Sequence, residues 1–475
     1  MLFNSLEFLL FLPTIFVLYW FVFKNQLRAQ NILLLVASYL FYGWWDWRFL
    51  SLIVLSTAID YWVGLQLEKT AESSKRKLLL GLSLTANLGM LGFFKYFNFF
   101  VQSWVDAWAS VGVTMQGTTL EIILPVGISF YTFQTLSYTI DIYRKQLQPT
   151  KSFIDFAAFV TFFPQLVAGP IERASHLLPQ FYKKRVFQYE QAAAGVQLII
   201  WGMFKKVVVA DNCAFFVNPI FENPAAFSSG ELAVGMVFFA FQIYGDFSGY
   251  SDIAIGISKL FGFDLMVNFK FPYFSRDIAE FWRRWHISLS TWFRDYVYIP
   301  LGGSRGTTWF QLRNVFIIFL VSGFWHGANW TFIIWGLLHA LLFLPLLLGN
   351  WNRTNLASKS YGWLDVLKIG TTFTLVCVAW VFFRADSLSL ALTYLEQLSS
   401  LDSFSLRFFI KNNAYTLLFL LSVLAIGILS LRELLWVLQK RETPYLNRYW
   451  TLFLLLAIFF MGSFKNQMDF IYFQF

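Results

Sequence analysis

The stretch Phe332-Ile-Ile-Trp-Gly-Leu-Leu-His-Ala-Leu-Leu-Phe-Leu-Pro-Leu-Leu-Leu348 contains no acidic or basic residue, and comparable apolar runs recur from one end of the chain to the other. A helix crosses the hydrocarbon core of a bilayer with about 20 such residues. Across the 475 residues, 57% are hydrophobic, 13% are charged and the mean hydropathy is +0.57. Soluble domains are far less apolar. The sequence therefore predicts an all-α, polytopic integral membrane protein.

Apolar runs bounded by charged or turn residues predict about 11–13 transmembrane helices. The predicted spans are residues 6–23, 31–45, 49–67, 78–100, 122–140, 188–210, 232–247, 314–331, 332–348, 366–383, 413–431 and 449–461. Residues 153–167 run into prolines and are predicted to be re-entrant, and residues 281–300 mix aromatic side chains with arginines as interfacial helices do. We see no internal repeat, so residues 1–475 are predicted to form a single membrane domain.

Basic residues alternate with the predicted spans. Residues 68–77 contain four Lys or Arg, whereas residues 101–121 and 211–231 contain none. The positive-inside rule places the basic loops in the cytoplasm, so both termini are predicted to lie outside a multi-pass protein of the cell (inner) membrane. The formal net charge of +9 is then a topology signal. We expect lipid around the chain and no nucleic acid partner.

His326 is the first candidate catalytic residue, because it lies deep in an apolar run beside Trp325 and close to Asn329. A neutral imidazole there can take a proton from a hydroxyl nucleophile. A hydrogen-bonded packing histidine explains the position equally well. Polar groups inside spans are costly, which makes each of them a functional hypothesis.

The other three histidines carry weaker arguments. His286 lies among tryptophans and arginines, where a ring resting at headgroup level is the simpler explanation. His339, on the following span, is predicted to be structural and to bond across helices. His176, in a polar loop, is the least promising.

A second polar cluster comprises Tyr244, Asp246 and Asp252, where an apolar run ends among glycines. It is either a helix terminus capped by aspartate or a broken helix that lines a cavity. We favour the cavity, because the two carboxylates are close together and the region lacks a surplus of basic residues. No metal-ligand spacing and no phosphate-binding loop are visible, so no metal site is predicted.

Several motifs occur in a fixed order: Tyr244-Gly-Asp-Phe-Ser-Gly-Tyr-Ser-Asp252, Glu280-Phe-Trp-Arg-Arg-Trp-His-Ile-Ser-Leu-Ser290 and Phe324-Trp-His-Gly327. Together with Asn268-Phe-Lys-Phe-Pro-Tyr273, which lies between the first two, they resemble the membrane-bound O-acyltransferase family. The resemblance is greatest to its bacterial alginate O-acetyltransferase branch and runs the whole length of the chain. It implies helices arranged around a catalytic tunnel.

The resemblance also implies a reaction. His326 matches the catalytic histidine of the family, and His286 matches the second histidine of the bacterial branch. The acyl group comes from a cytoplasmic thioester, acetyl-coenzyme A or an acyl-carrier protein, with no tightly bound cofactor. It goes to hydroxyls of an extracytoplasmic polysaccharide, directly or through an extracytoplasmic esterase-like partner protein. A D-alanyl transferase of the teichoic-acid type and a non-catalytic acyl transporter or scaffold are the alternatives.

Substrate-binding residues are predicted around these histidines. Basic side chains suit the phosphates of a pantetheine donor, and an N–H group beside the base can hold a developing oxyanion. The phosphate candidates are Arg283, Arg284 and Arg294, the oxyanion candidates are Trp325 and Asn329, and Asp295, Tyr244, Asp246 and Asp252 complete the set.

Overall fold

The computed structural model describes residues 1–167, 169–357, 361–400, 404–464 and 470–471. Within these ranges every regular element is a helix. The predicted all-α, polytopic membrane architecture is confirmed. The described chain divides into two compact units, residues 1–195 with 254–266 and residues 196–253 with 267–475. A single domain over 1–475 stays a prediction.

The first unit consists of helices, with a longer non-helical connection at residues 111–127. Its helices are Leu6–Val17, Leu18–Val22 (π), Leu27–Asp46, Trp47–Phe49 (3-10), Leu50–Lys69, Ser73–Leu91, Gly92–Tyr96 (π), Phe97–Ser110, Ile128–Tyr143, Phe153–Thr161, Phe163–Leu166, Ala174–Tyr182 and the first half of Tyr189–Met203. The predicted re-entrant segment 153–167 is a broken pair of short helices, with Pro164 in the first turn of the second. Proline suits that position because the first-turn N–H groups have no partner within the helix.

The second unit contains the candidate site. Its helices are Phe204–Ala210 (π), Asp211–Glu222, Pro224–Ala226 (3-10), most of Ser229–Leu260, Pro272–Phe274 (3-10), Ile278–Arg284, Ile287–Phe293, Arg294–Tyr298 (π), Thr308–His326, Trp330–Leu348, Thr354–Ala357, Trp363–Arg384, Leu388–Ser399, Asn413–Leu438 and Arg448–Met461.

Within the described ranges, seven helical segments are long and apolar enough to cross a membrane. They are Leu27–Lys69, Ser73–Ser110, Tyr189–Glu222, Ser229–Leu260, Trp330–Leu348, Trp363–Arg384 and Asn413–Leu438, and the shorter apolar helices Leu6–Val22 and Arg448–Met461 accompany them. Leu27–Lys69 covers two of the predicted spans with a 3-10 turn between them. Asp211–Glu222 continues the preceding span, so the loop predicted at 211–231 is largely helical.

Two close backbone contacts hold the helix hairpin that presents His326. A Cβ added to Gly323 would lie 2.2 Å from the carbonyl oxygen of Phe332, and one added to Gly336 would lie 2.3 Å from that of Phe319. Glycine at both positions therefore lets helices Thr308–His326 and Trp330–Leu348 approach without a side chain between them. His326 is the last residue of the first helix.

We predict that Gly336→Ala destabilises this hairpin. Alanine favours helix more than glycine does, but its methyl group must displace the backbone of the neighbouring helix. The free energy of unfolding should fall by about 2 kcal/mol, as for other overpacked sites. Thermal unfolding of the detergent-solubilised protein measures the change. Gly370→Ala is the matched control, because a Cβ at this helical glycine meets no atom within 4 Å. Equal melting temperatures of the Gly336→Ala and Gly370→Ala proteins would contradict the prediction.

Candidate active site

The structure brings His326 and His286 together in the interior of the second unit. Their ring centroids are 6.4 Å apart, and the ring of Trp325 lies 4.9 Å from His326 and 6.0 Å from His286. Both imidazoles are buried, with relative exposures of 2% and 0%. The prediction that His286 rests at headgroup level is therefore wrong, because protein surrounds its ring.

Aromatic side chains form the walls around both imidazoles. The ring centroids of Trp335 and Phe383 lie 5.1 and 5.3 Å from that of His326, and the ring centroid of Phe247 lies 4.7 Å from that of His286. An apolar surrounding disfavours the charged form of an imidazole. Burial lowers the pKa of His286, which lies outside the seven candidate spans, to about 3. His286 is therefore neutral throughout the physiological pH range.

A break between two short helices places His286. The residue adopts a left-handed conformation, with φ 45° and ψ 55°, between Ile278–Arg284 and Ile287–Phe293. Backbone hydrogen bonds of 2.9 Å from Lys270 N to Arg284 O and from Ile287 N to Asn268 O hold the break in place. Residues 281–300 were expected at the membrane interface, but Trp285 and other aromatic side chains of the segment are buried. That expectation is wrong for them, because they pack inside the protein.

Asp246 and Asp252 lie within the continuous helix Ser229–Leu260, so the predicted helix end or break between 244 and 252 is wrong. Lys206 Nζ lies 2.7 Å from Asp246 Oδ1 and 2.8 Å from Asp211 Oδ1, and Lys205 Nζ lies 2.6 Å from Asp252 Oδ2. The lysines neutralise the carboxylates, which allows the helix to continue through them.

Neither lysine was predicted from the sequence to have a role. They lie in the middle of a predicted span, at the π-helix Phe204–Ala210. A lysine inside a span requires an acidic partner, and that requirement is the signal that could have found the pairs. Glu433 was overlooked as well. Its Oε1 accepts a hydrogen bond of 2.6 Å from the hydroxyl of Tyr244, and the glutamate is buried.

A basic cavity of about 300 Å³ lies in the same unit. Its charged lining residues are Lys270, Glu280, Arg283, Arg284, Lys440, Arg441 and Glu442. Arg283 Nη1 donates to the carbonyl oxygen of Asn352 (2.9 Å), and Arg284 Nη2 donates to Glu280 Oε1 (2.6 Å). Two of the three predicted phosphate contacts are thus at one cavity. The third, Arg294, pairs with Asp295 at 2.8 Å and is not part of this lining.

The remaining candidates have local partners. Asn329 caps helix Trp330–Leu348, because its Oδ1 accepts from Thr331 N (3.0 Å) and its Nδ2 donates to Asp386 O (2.8 Å). Both polar atoms of its side chain therefore have partners within the protein. His339 accepts from Trp282 Nε1 at 3.2 Å, which confirms the predicted bond between helices.

His176 belongs to the first unit, whereas His326 and His286 belong to the second. Its Nδ1 lies 2.7 Å from Glu172 Oε2, and this hydrogen bond raises the pKa of His176. It is a local ion pair at the edge of a short helix.

Comparison with known proteins assigns the family. The sequence profile of the membrane-bound O-acyltransferase family matches residues 70–355. The chain belongs to this family. The resemblance drawn from the motifs is confirmed, and so is the enzyme class, an O-acyltransferase.

Three relatives place this acyltransferase within the family. The probable alginate O-acetylase AlgI of Pseudomonas aeruginosa is 44% identical, over 86% of this chain and 76% of the relative. The peptidoglycan O-acetyltransferase of Helicobacter pylori is 39% identical, over 86% and 81%. The teichoic acid D-alanyltransferase of Bacillus subtilis is 30% identical, over 54% and 68%.

We predict that Lys206→Met destabilises this acyltransferase strongly. The substitution leaves Asp211 and Asp246 buried without their shared cation, and breaking a buried pair in this way costs about 3–5 kcal/mol. Lys75→Met is the control, because Lys75 pairs with Glu72 on the surface. This variant should unfold like the wild type. Thermal unfolding and the yield of folded protein measure both. A Lys206→Met protein as stable as the control would contradict the prediction.

Proposed function

We propose that this acyltransferase moves an acetyl group from a thioester to hydroxyl groups of an extracytoplasmic polysaccharide, with His326 as the general base. The observation that carries the proposal is the buried pair of imidazoles, with ring centroids 6.4 Å apart inside aromatic walls. Among the relatives, two have names that refer to O-acetylation, of alginate and of peptidoglycan. These names support a glycan acceptor.

The proposed reaction is one acyl transfer. His326 takes the proton of an acceptor hydroxyl, and the hydroxyl oxygen attacks the carbonyl carbon of the thioester. The tetrahedral intermediate collapses by breaking the carbon–sulfur bond, and the thiolate receives the proton from His326. The products are an ester and a thiol. Aromatic walls keep bulk water away from the thioester, and His286 assists as a second, neutral imidazole.

The basic cavity supports a phosphate-bearing donor. Arginine and lysine bind phosphate through charge-assisted hydrogen bonds, and five such side chains line the cavity against two carboxylates. Acetyl-coenzyme A and an acyl-carrier protein both present phosphopantetheine, so the same contacts serve either donor. No cofactor is needed for the proposed chemistry.

Acetyl transfer is preferred to D-alanyl transfer. The D-alanyltransferase relative matches 54% of this chain at 30% identity, whereas the alginate relative matches 86% at 44%. A transporter or scaffold without chemistry has no use for two buried imidazoles in contact with the same tryptophan. An extracytoplasmic esterase-like partner, an inner-membrane location and external termini remain predictions.

We predict that His326→Ala abolishes transfer. Loss of a general base lowers turnover by about 100- to 10,000-fold. Ester-linked acetate on the surface glycan, measured in cells that carry stably inserted protein, gives the readout. His176→Ala is the control, because this histidine is half-exposed in the first unit. Wild-type acetylation by the inserted His326→Ala protein would exclude the catalytic assignment.

We predict that Arg283→Ala weakens donor binding. Removing one charge-assisted contact should raise the KM for acetyl-coenzyme A about 10-fold and leave kcat nearly unchanged. High salt should weaken donor binding to the wild type more than to the variant. The variant has one positive charge fewer at the cavity, so salt has less attraction to screen. Arg48→Ala, which removes an exposed pair with Asp46, is the control. An unchanged KM in the Arg283→Ala protein would place the donor phosphates elsewhere.

A further inference from the structure

Asn268 is a buried residue in contact with His286. Its side-chain oxygen Oδ1 lies 3.2 Å from His286 Nδ1, 3.2 Å from the backbone nitrogen of Ser288 and 3.0 Å from Ser288 Oγ. The relative exposure of Asn268 is 0%. One amide oxygen thus lies within hydrogen-bond distance of three polar atoms of the segment that contains His286.

The orientation of this amide follows from chemistry. The backbone N–H of Ser288 can only donate, so the atom that faces it must be the oxygen of Asn268 and not its NH₂ group. The same oxygen faces His286 Nδ1. A neutral imidazole that meets an acceptor at Nδ1 has its proton there, and Nε2 is then the unprotonated nitrogen.

The Nδ2 atom of Asn268 is buried and meets no acceptor in the described ranges of the chain. Leaving a buried donor unsatisfied is unfavourable. The flipped amide is still worse, because it would oppose NH₂ to the N–H of Ser288. The amide is therefore held in one orientation.

Asn268 also holds the backbone of the site. Helix Ile287–Phe293 begins after His286, whose own side chain does not cap it. The first N–H groups instead donate to Asn268, from Ile287 to its carbonyl oxygen (2.9 Å) and from Ser288 to its side chain. An asparagine from another segment thus takes the place of the missing N-cap.

We propose that Asn268 is a positioning residue that fixes His286 in its Nδ1-protonated, Nε2-accepting tautomer. The inference rests on the proposed function, since it concerns the histidine that assists His326. It defines what His286 does. In this tautomer His286 accepts a hydrogen bond through Nε2, and it cannot donate one from Nε2 to a developing oxyanion.

The neutral amide also separates the roles of the two histidines. In a Ser-His-Asp triad the carboxylate behind the imidazole stabilises the imidazolium that forms. An amide offers no such charge, so His286 stays neutral while His326 takes the proton. Rings packed against His286 in the described part of the chain include Phe247, Phe269, Trp325 and His326, of which His326 is titratable.

The first test reads the tautomer without relying on activity. The chain contains four histidines, so solid-state ¹⁵N NMR of the full-length, histidine-labelled protein resolves few signals, and a His286→Gln variant assigns the one of interest. We expect a neutral Nδ1–H imidazole in the wild type at pH 7 and a loss of that preference in Asn268→Ala. An Nε2–H imidazole in the wild type, or an unchanged tautomer in Asn268→Ala, would overturn the inference.

The second test separates positioning from helix capping by means of Asn268→Asp. Aspartate caps a helix as well as asparagine does, but its charge behind the imidazole raises the pKa of His286. The pKa of His286, followed through its ¹⁵N signals, should therefore lie about one pH unit or more higher in Asn268→Asp than in the wild type. In Asn268→Ala we expect kcat to fall about 100-fold while the KM for the donor stays within about twofold.

Ser288→Ala and Ser290→Ala complete the set. Ser288→Ala removes one of the contacts that orient the amide and should lower kcat by a smaller factor. Ser290→Ala, on the same short helix and bonded to the carbonyl oxygen of Trp285, should behave like the wild type. An unchanged pKa of His286 in a folded Asn268→Asp protein means that Asn268 only caps the helix, which overturns the inference. Activity in His326→Ala would instead overturn the proposed function and leave the tautomer result intact.

Discussion

Lys206 lies between the carboxylates of Asp211 and Asp246, at 2.8 and 2.7 Å, with 1% of its side chain exposed. In a chain surrounded by lipid such a cation must find its counter-ions within the protein. The pairs join the π-helix Phe204–Ala210 to helix Ser229–Leu260. Phe247 follows Asp246 directly, and its ring lies against His286. The wall of the candidate site is therefore anchored by a buried ion cluster next to it in the sequence.

The same constraint governs the two histidines. Aromatic walls disfavour the charged form of an imidazole, and a neutral imidazole is the form that can accept a proton. A low-dielectric chamber also strengthens each remaining polar interaction, so a single amide such as that of Asn268 can determine which nitrogen is protonated. Burial, protonation state and tautomer are thus consequences of one environment.

Two kinds of helix contact create that environment. Glycines bring Thr308–His326 and Trp330–Leu348 into backbone contact, which fixes His326 at the end of a rigid hairpin. His286 is instead held at a break between two short helices by hydrogen bonds from a separate segment. One imidazole is therefore placed by packing and the other by polar contacts, which explains why the segment around His286 is irregular and that around His326 is regular.

Apolar run length and motif order can be read locally along the chain, so they were enough to predict the membrane class and the helical composition and to single out the two histidines proposed for the site. They did not determine which polar residues meet. The bonds of Lys206 to Asp246, Tyr244 to Glu433 and Asn268 to His286 join segments far apart in sequence. A helix end or a break was expected between Tyr244 and Asp252, because two carboxylates and two glycines end an apolar run there. Only the tertiary structure supplied the lysines that neutralise Asp246 and Asp252, since charge pairing in a lipid-surrounded interior depends on distance in space.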